Sequence, residues 1–279
     1  MHSSTNDRLF SVKIKKGSDF IDDFSIPYYC IMLFRGKANF LVDFVEYRSH
    51  GNTVLFLSPH QNFKWQGTGG IPIRLLTFHG DFYCIEYHKK EVACNGLLFN
   101  NIYLTPQISI SDTYFEEIGQ IVQKMKLENE SGNPYSNAVL KSYLQLILAL
   151  SSREKSILLG QKKLDLIESK NITVFQELIE KHYIRERSPA FYASELKLSP
   201  STLSKNIKKQ IGKTPTQLIQ ERVILESKKL LHLTHKSIKE IAVDLHFEDE
   251  YYFSRYFKKN VGLSPMHYRK DVGISIVAK

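Results

Sequence analysis

Residues 208–215 read KKQIGKTP, and residues 258–265 read KKNVGLSP. Each copy runs Lys-Lys, a polar residue, a β-branched aliphatic, Gly, a variable residue, a hydroxyl residue and Pro. Paired lysines suit the negative end of a helix dipole. Gly212 and Gly262 stand where a left-handed residue ends a helix. Thr214 and Ser264 can cap the helix that follows, with Pro215 and Pro265 at its first position. Each copy therefore spells a helix end, a tight turn and a helix start. The match extends upstream, where TLSKNIKK (202–209) aligns with YFSRYFKK (252–259). A helix and its exit are used twice.

The surroundings of the repeat read as helices throughout. VFQELIEKHYI (174–184) is amphipathic. SPAFYASELKL (188–198) predicts a short helix, and SPSTLSKNIKKQI (199–211) another after a brief turn. TPTQLIQERVILESKKLLHL (214–233) predicts a longer one. SIKEIAVDL (237–245) opens with a capping box, Ser237 and Glu240. EDEYYFSRYFKKN (248–260) follows after a second short turn, and a last helix begins at Ser264–Pro265. Two pairs of short helices, each joined by a few residues, match the helix-turn-helix pattern.

The second helix of such a motif needs two unlike faces. Leu203, Ile207 and Ile211 form a core face in the first copy, and Phe253 and Phe257 in the second, with Tyr256 beside them. Ser201, Thr202, Lys205 and Lys208 point away in the first copy. Glu250, Tyr251, Ser254, Arg255 and Lys258 share the far side in the second. Arg255 can make a forked contact to guanine, and Lys205 can reach guanine or a phosphate. Lys208, Lys209, Lys258 and Lys259 fit phosphate neutralisation. The long connecting helix spans roughly 28 Å. Successive major-groove windows lie roughly 34 Å apart, so one chain can present both helices to one face of a duplex.

These residues resemble the DNA-binding domain of AraC-type (AraC/XylS) transcription regulators. The resemblance covers 173–270. It rests on IKEIAVDLHFEDEYYFSRYFKKNVGLSPMHYRK (238–270) and on LSPSTLSKNIKKQIGKTPTQLIQERVILESKKLL (198–231). It implies a seven-helix double helix-turn-helix fold on promoter DNA, with base-facing positions at Ser201, Ser204 and Lys205, then Glu250, Tyr251, Ser254 and Arg255. Two positions depart from the family pattern. His246 precedes Phe247 where the family usually has Gly, and Ile207 replaces a usual aromatic.

Charge agrees with a polyanion partner. Residues 173–279 hold 19 Lys+Arg against 12 Asp+Glu, whereas residues 1–172 hold 19 against 17, so most of the net +9 lies with the repeat.

The first hundred residues read as β structure. YYCIMLF (28–34), ANFLVDF (38–44), NTVLFLSP (52–59) and IRLLTFH (73–79) are rich in β-branched and aromatic residues, broken up by Gly and Asn. Short strands at close spacing predict a small barrel or sandwich. Residues 111–130 then read as a helix. A second, about 135–153, carries an apolar face of Leu140, Tyr143, Leu144, Ile147 and Leu148, read here as a dimer contact. A charged connector follows.

The fold class expected is α+β in two parts, a cupin-like β-barrel with a helical dimerisation segment and an all-α double helix-turn-helix domain. The boundaries expected are 1–110 for the β regulatory domain, 111–155 for the dimerising helices, 156–172 for a linker and 173–279 for the DNA-binding domain. The barrel and the dimerising role follow from the family resemblance, which also implies a small-molecule effector in the N-terminal half and makes RNA polymerase a further partner. The partner expected first is double-stranded promoter DNA, bound by a homodimer.

Other classes find less footing. A metal-dependent cupin-type enzyme fused to a nucleic-acid-binding domain would need clustered His and carboxylates. His60, His79 and His88 exist, with Asp81 and Glu86, but no G-x5-H-x-H spacing links them. HExxH, Walker A and GxSxG are absent, so no catalytic residue, metal or cofactor is assigned. RNA binding would call for a stacking platform, yet apart from Tyr251 the aromatics of the two helices fall on the core face. The longest apolar run, LQLILAL (144–150), is too short to span a bilayer. MHSSTNDRLF has no basic segment followed by an apolar one, so no signal peptide is expected. Cys30, Cys84 and Cys94 show no metal-ligand spacing and are expected to be reduced packing residues of a cytoplasmic protein.

Overall fold

The computed structural model describes residues 9–43, 45–67, 69–85, 96–165 and 170–274. They form two compact units. One holds the residues up to Asn101 together with Thr105–Leu158. The other holds Ile102–Leu104 and everything from Leu159 onward.

The first unit is an antiparallel sheet with two helices. Its strands are β1 (Phe10–Lys16), β2 (Tyr29–Val42), β3 (Val45–Leu57), β4 (Phe63–Gln66), β5 (Pro72–Phe78) and β6 (Gln107–Ser109). They run in the order β1-β5-β2-β3-β6, with β4 also on β2. The segments expected as separate strands at 28–34 and 38–44 are one strand, β2 (Phe44 lies outside the described residues). It changes partner near Gly36, whose φ of 134° suits only glycine. Tyr29–Phe34 pair with β5, and Asn39–Val42 pair with β4.

Alternation along β2 explains why its first half is apolar at every position. Tyr29, Ile31 and Leu33 enter one core; Cys30, Met32 and Phe34 enter another on the opposite face. The second core is aromatic, with Phe34, Phe40, Phe63 and Trp65 packed edge to face or tilted, and Phe40 stacked on Trp65. Cys30 is buried within it, and desolvation pushes its thiol far above the usual range, as befits a packing residue. Cys84 is half-buried and forms no disulfide. Cys94, Glu86 and His88 lie outside the described residues.

The other face of the sheet is covered by α1 (Asp112–Ser131) and α2 (Ser136–Asp165). Ser111 caps α1 by accepting from the Tyr114 N–H, and Gly132 ends it at φ 65°. This arrangement corrects the dimer assignment. Leu140, Leu144, Ile147 and Leu148 are fully buried, and Tyr143 packs beside them, in the core shared with Ile118, Val122, Met125 and the sheet. Their face belongs to the chain's own interior and is not open to a second copy. Helical spacing marks this face as one that avoids water, and the sheet is what covers it. α2 also runs past 153 to Asp165, so much of the expected linker at 156–172 is helix.

Helices make up the second unit: α3 (Lys170–His182), α4 (Pro189–Glu195), α5 (Pro200–Ile211), α6 (Pro215–Leu233), α7 (Ile238–Asp244), α8 (Glu250–Val261) and α9 (Pro265–Val272). α3, α5, α7, α8 and α9 all pack on α6. One core joins them, built on Phe175, Tyr192, Leu203, Ile207, Leu218, Phe253 and Phe257. Ile102 is buried in the same core. No described helix of either unit is long and apolar enough to cross a membrane.

Candidate nucleic-acid interface

Two turns in the second unit have the same hydrogen-bond plan. After α4, Leu196 N–H donates to Tyr192 O, Lys197 N–H to Ser194 O and Leu198 N–H to Ala193 O, at 3.1, 2.9 and 2.9 Å. After α7, Leu245 N–H donates to Ile241 O, His246 N–H to Val243 O and Phe247 N–H to Ala242 O, at 3.0, 3.0 and 2.9 Å. Crossed bonds of this kind satisfy the last carbonyls of a helix and require one left-handed residue. Lys197 fills that position at φ 55° and His246 at φ 54°. The absence of Gly before Phe247 therefore leaves the turn intact; a histidine adopts the left-handed conformation instead.

Each turn delivers a capped helix. Ser199 accepts from Thr202 N–H at the start of α5, and Asp249 accepts from Tyr252 N–H at the start of α8. Both helices end on a left-handed glycine, Gly212 at φ 80° and Gly262 at φ 86°. Thr214, with Gln217, and Ser264 then cap α6 and α9. The punctuation expected from the repeat is present at every position.

Both helices are strongly two-faced. Leu203 and Ile207 of α5, and Phe253 and Phe257 of α8, are buried. At about 100° per residue, Lys205 and Arg255 lie opposite those pairs, flanked by Ser201 and Lys208 on α5 and by Tyr251 and Lys258 on α8. Ser201, Thr202, Ser204, Lys205, Lys208 and Lys209 are exposed, as are Tyr251, Arg255, Lys258 and Lys259; Glu250 and Ser254 are half-buried on the flank of α8. Ser199 Oγ lies 2.9 Å from Ser201 Oγ and 2.8 Å from Thr202 Oγ1, which gathers three hydroxyls at the tip of α5.

Charge in this unit divides into two sets. Arg187, Lys213, Arg222, Lys236 and Arg269 are committed to the fold. Arg222 pairs with Glu180 at 2.8 Å and Glu226 at 3.0 Å and lies over the Tyr183 ring; these carboxylates outweigh burial and hold its pKa up. Lys236 pairs with Asp244 at 2.6 Å. Arg269 donates to Leu231 O and Lys236 O at 3.1 and 2.6 Å. By contrast, among the described residues Lys205, Lys208, Lys209, Arg255, Lys258 and Lys259 have no protein partner. Counting lysines and arginines could not separate the sets, because Arg187, Lys213, Arg222 and Arg269 each have a partner distant in sequence.

Among the described residues no three His, Cys, Asp or Glu side chains gather to hold a metal ion. His79 meets Asp81, Nδ1 to Oδ2 at 3.3 Å, which is a pair and not such a cluster.

A helix-turn-helix domain model matches residues 192–271. The HTH-type transcriptional activator RhaS of Shigella dysenteriae is 22% identical over 229 residues, covering 80% of this chain and 78% of its own. RhaS of Escherichia coli K12 is 24% identical over the same shares. Among solved structures, an apo ToxT variant from Vibrio cholerae is 19% identical, with a TM-score of 0.42 over 98% of this chain and 100% of that one. The C-terminal domain of AraT, a response regulator from Geobacillus stearothermophilus, is 31% identical, with a TM-score of 0.35 over 37% of this chain and 85% of that one. Residues 192–271 are an AraC-type helix-turn-helix domain, and the chain is a DNA-binding transcription regulator.

Proposed function

We propose that this regulator lays α5 and α8 in successive major-groove segments of promoter DNA. Ser201, Thr202, Ser204 and Lys205 read bases from α5, and Glu250, Tyr251, Ser254 and Arg255 from α8. Lys208, Lys209, Lys258 and Lys259 neutralise the flanking phosphates. The observation that carries this reading is the pairing of buried Leu203/Ile207 and Phe253/Phe257 with cations on the far side of each helix that have no partner among the described residues. A basic side chain without an internal partner is available to DNA at no cost in broken ion pairs. The α6 connector, 19 residues long, spans roughly 28 Å, close to one turn of duplex.

The regulator acts in the cytoplasm as a homodimer, as an activator in the manner of the RhaS relatives, with RNA polymerase as a further partner and no catalytic role of its own. The β unit serves as an effector-responsive half, and DNA and effector then influence each other's affinity reciprocally. With the Leu140–Leu148 face taken by the core, the dimer contact moves to the open side of α2. Val139, Leu146 and Ile157 are 36, 44 and 50% exposed there. Their spacings of seven and eleven residues set them along one line of the helix.

Selection of duplexes from a random-sequence library, followed by competition with scrambled duplex and with RNA, tests the DNA reading. The expected result is a two-part motif preferred over both competitors. Equal affinity for duplex and RNA would overturn the assignment of these helices as base readers.

A further inference from the structure

Arg187 stands one residue before Ser188, the cap of α4, at the start of the first helix-turn-helix motif. Its side chain does not stay in that motif. The guanidinium lies 3.9 Å from the centroid of the Phe247 ring and 5.9 Å from that of Tyr256, and its Nη2 donates to the main-chain oxygen of Leu245. Leu245 and Phe247 form the turn of the second motif, and Tyr256 belongs to α8. A residue at the start of one motif thus holds the turn of the other.

Both ends of this link are anchored. On the near side, Arg185 and Glu186 N–H donate to His182 O at 3.0 and 2.8 Å, and Tyr192 OH donates to Glu186 O at 2.7 Å. On the far side, Phe247 meets Phe253 and Tyr256 of α8 edge to face, with centroids 5.1 and 5.2 Å away. Both motifs also pack on α6. An attachment along one helix fixes separation along its axis. A second attachment off that axis restrains rotation about it. Any swing of α8 relative to α5 must break the bond to Leu245 O or lift the guanidinium from the Phe247 ring.

We propose that Arg187 sets the separation of the two recognition helices, and through it the spacing of the two DNA subsites that this chain accepts. The inference rests on the reading of α5 and α8 as a pair of base readers. Arg187 is a positioning residue, acting through Leu245 and Phe247. Only arginine suits the place. Its planar group stacks on a ring and donates in its own plane at the same time, which a lysine ammonium cannot do.

The test uses the full chain and the variants R187M, R187K and F247L, each selecting duplexes from one random-sequence library. Wild type is expected to return two half-motifs at a single separation. R187M should return the same half-motifs at two or more separations, and bind the wild-type duplex about 5–10-fold more weakly. R187K should fall between them. F247L, which keeps an apolar side chain but removes the ring face, should broaden the separation as R187M does. A purely structural role would weaken both half-motifs without changing their spacing, and that outcome overturns the proposal. So does one unchanged separation in both R187M and F247L. If wild type returns no two-part motif, the pairing of α5 and α8 falls first and this inference falls with it.

Discussion

Lys213 Nζ donates to the main-chain oxygen of Ile102 at 3.1 Å, across 111 positions of sequence. The same ammonium pairs with Glu221 at 2.6 Å, and Lys213 is only 8% exposed. Lys213 follows Gly212, the end of α5, so a segment from the N-terminal half is tied to the exit of a recognition helix. Beside it, Tyr103 OH donates to Glu180 at 2.9 Å, and burial, reinforced by that carboxylate, raises its phenol well above the ordinary range.

Lys213→Ala removes both bonds and leaves a buried carbonyl without this donor. The expected loss is about 1–3 kcal/mol. It should appear in helical circular dichroism during urea unfolding. Fluorescence of Trp65, the single tryptophan, reports the β unit, and its midpoint should stay in place. Equal shifts in both signals would show that the bond supports the chain as a whole.

Lys197 and His246 occupy left-handed positions that cost a side-chain-bearing residue roughly 1 kcal/mol or more. His246→Gly should therefore stabilise the second unit by about 0.5–1 kcal/mol, after the extra backbone entropy of glycine is subtracted. Gly212→Ala, at φ 80°, should act in the opposite direction by about 1–2 kcal/mol. Thermal unfolding of both variants gives the two signs; a destabilised His246→Gly would mean that the imidazole makes a contribution beyond its backbone.

Arg255 and Lys259 should behave differently on DNA. Arg255→Ala should cost about 1–3 kcal/mol on the selected duplex and relax base preference at one position. Lys259→Ala should weaken all duplexes alike and shallow the salt slope by roughly one unit. Titrations on selected and scrambled duplexes at several salt concentrations distinguish them. Equal loss on both duplexes for Arg255→Ala would remove it from the base-reading set.

Leu144 and Leu146, two positions apart on α2, should respond oppositely to Glu. Leu144 is fully buried, so Leu144→Glu places a charge in the core and should abolish folding. Leu146 is on the open side, so Leu146→Glu should fold and shift a dimer to monomer by light scattering. A folded Leu146→Glu that remains dimeric would clear this side of α2 of the contact.

Glu240 accepts from the Ser237 N–H at 2.7 Å, and that bond holds its carboxyl below the ordinary range. A depressed folded-state pKa gives stability that is present above the unfolded value and lost as pH falls through the folded one. The start of α7 should therefore loosen in acid, read as faster amide exchange at its first turn. Glu240→Gln, which keeps the acceptor but not the charge, should remove the pH dependence.

The double helix-turn-helix was legible in sequence because its signals are local. A cap, a left-handed exit and a two-faced helix all arise from residues within a few positions of one another, and KKQIGKTP and KKNVGLSP state them twice. The candidate site shared that legibility as far as the faces of α5 and α8, since helical spacing alone puts Lys205 and Arg255 opposite the core. Strands were less visible. FSVKIKK in β1 carries lysines through its pattern, and FKWQ in β4 is too short to show one.

What local pattern could not supply was the identity of each partner. The apolar stripe Leu140–Leu148 declares that something covers it; the sheet face presenting Ile31 and Leu33, rather than a second chain, does so. A lysine count cannot tell Lys213, bonded to Ile102, from Lys205, which has no partner among the described residues. Nor could it show that Arg187 grips Phe247 across sixty positions. Periodicity fixes which side of an element avoids water, because that follows from backbone geometry. Which surface meets that side depends on contacts that form only when distant segments fold together.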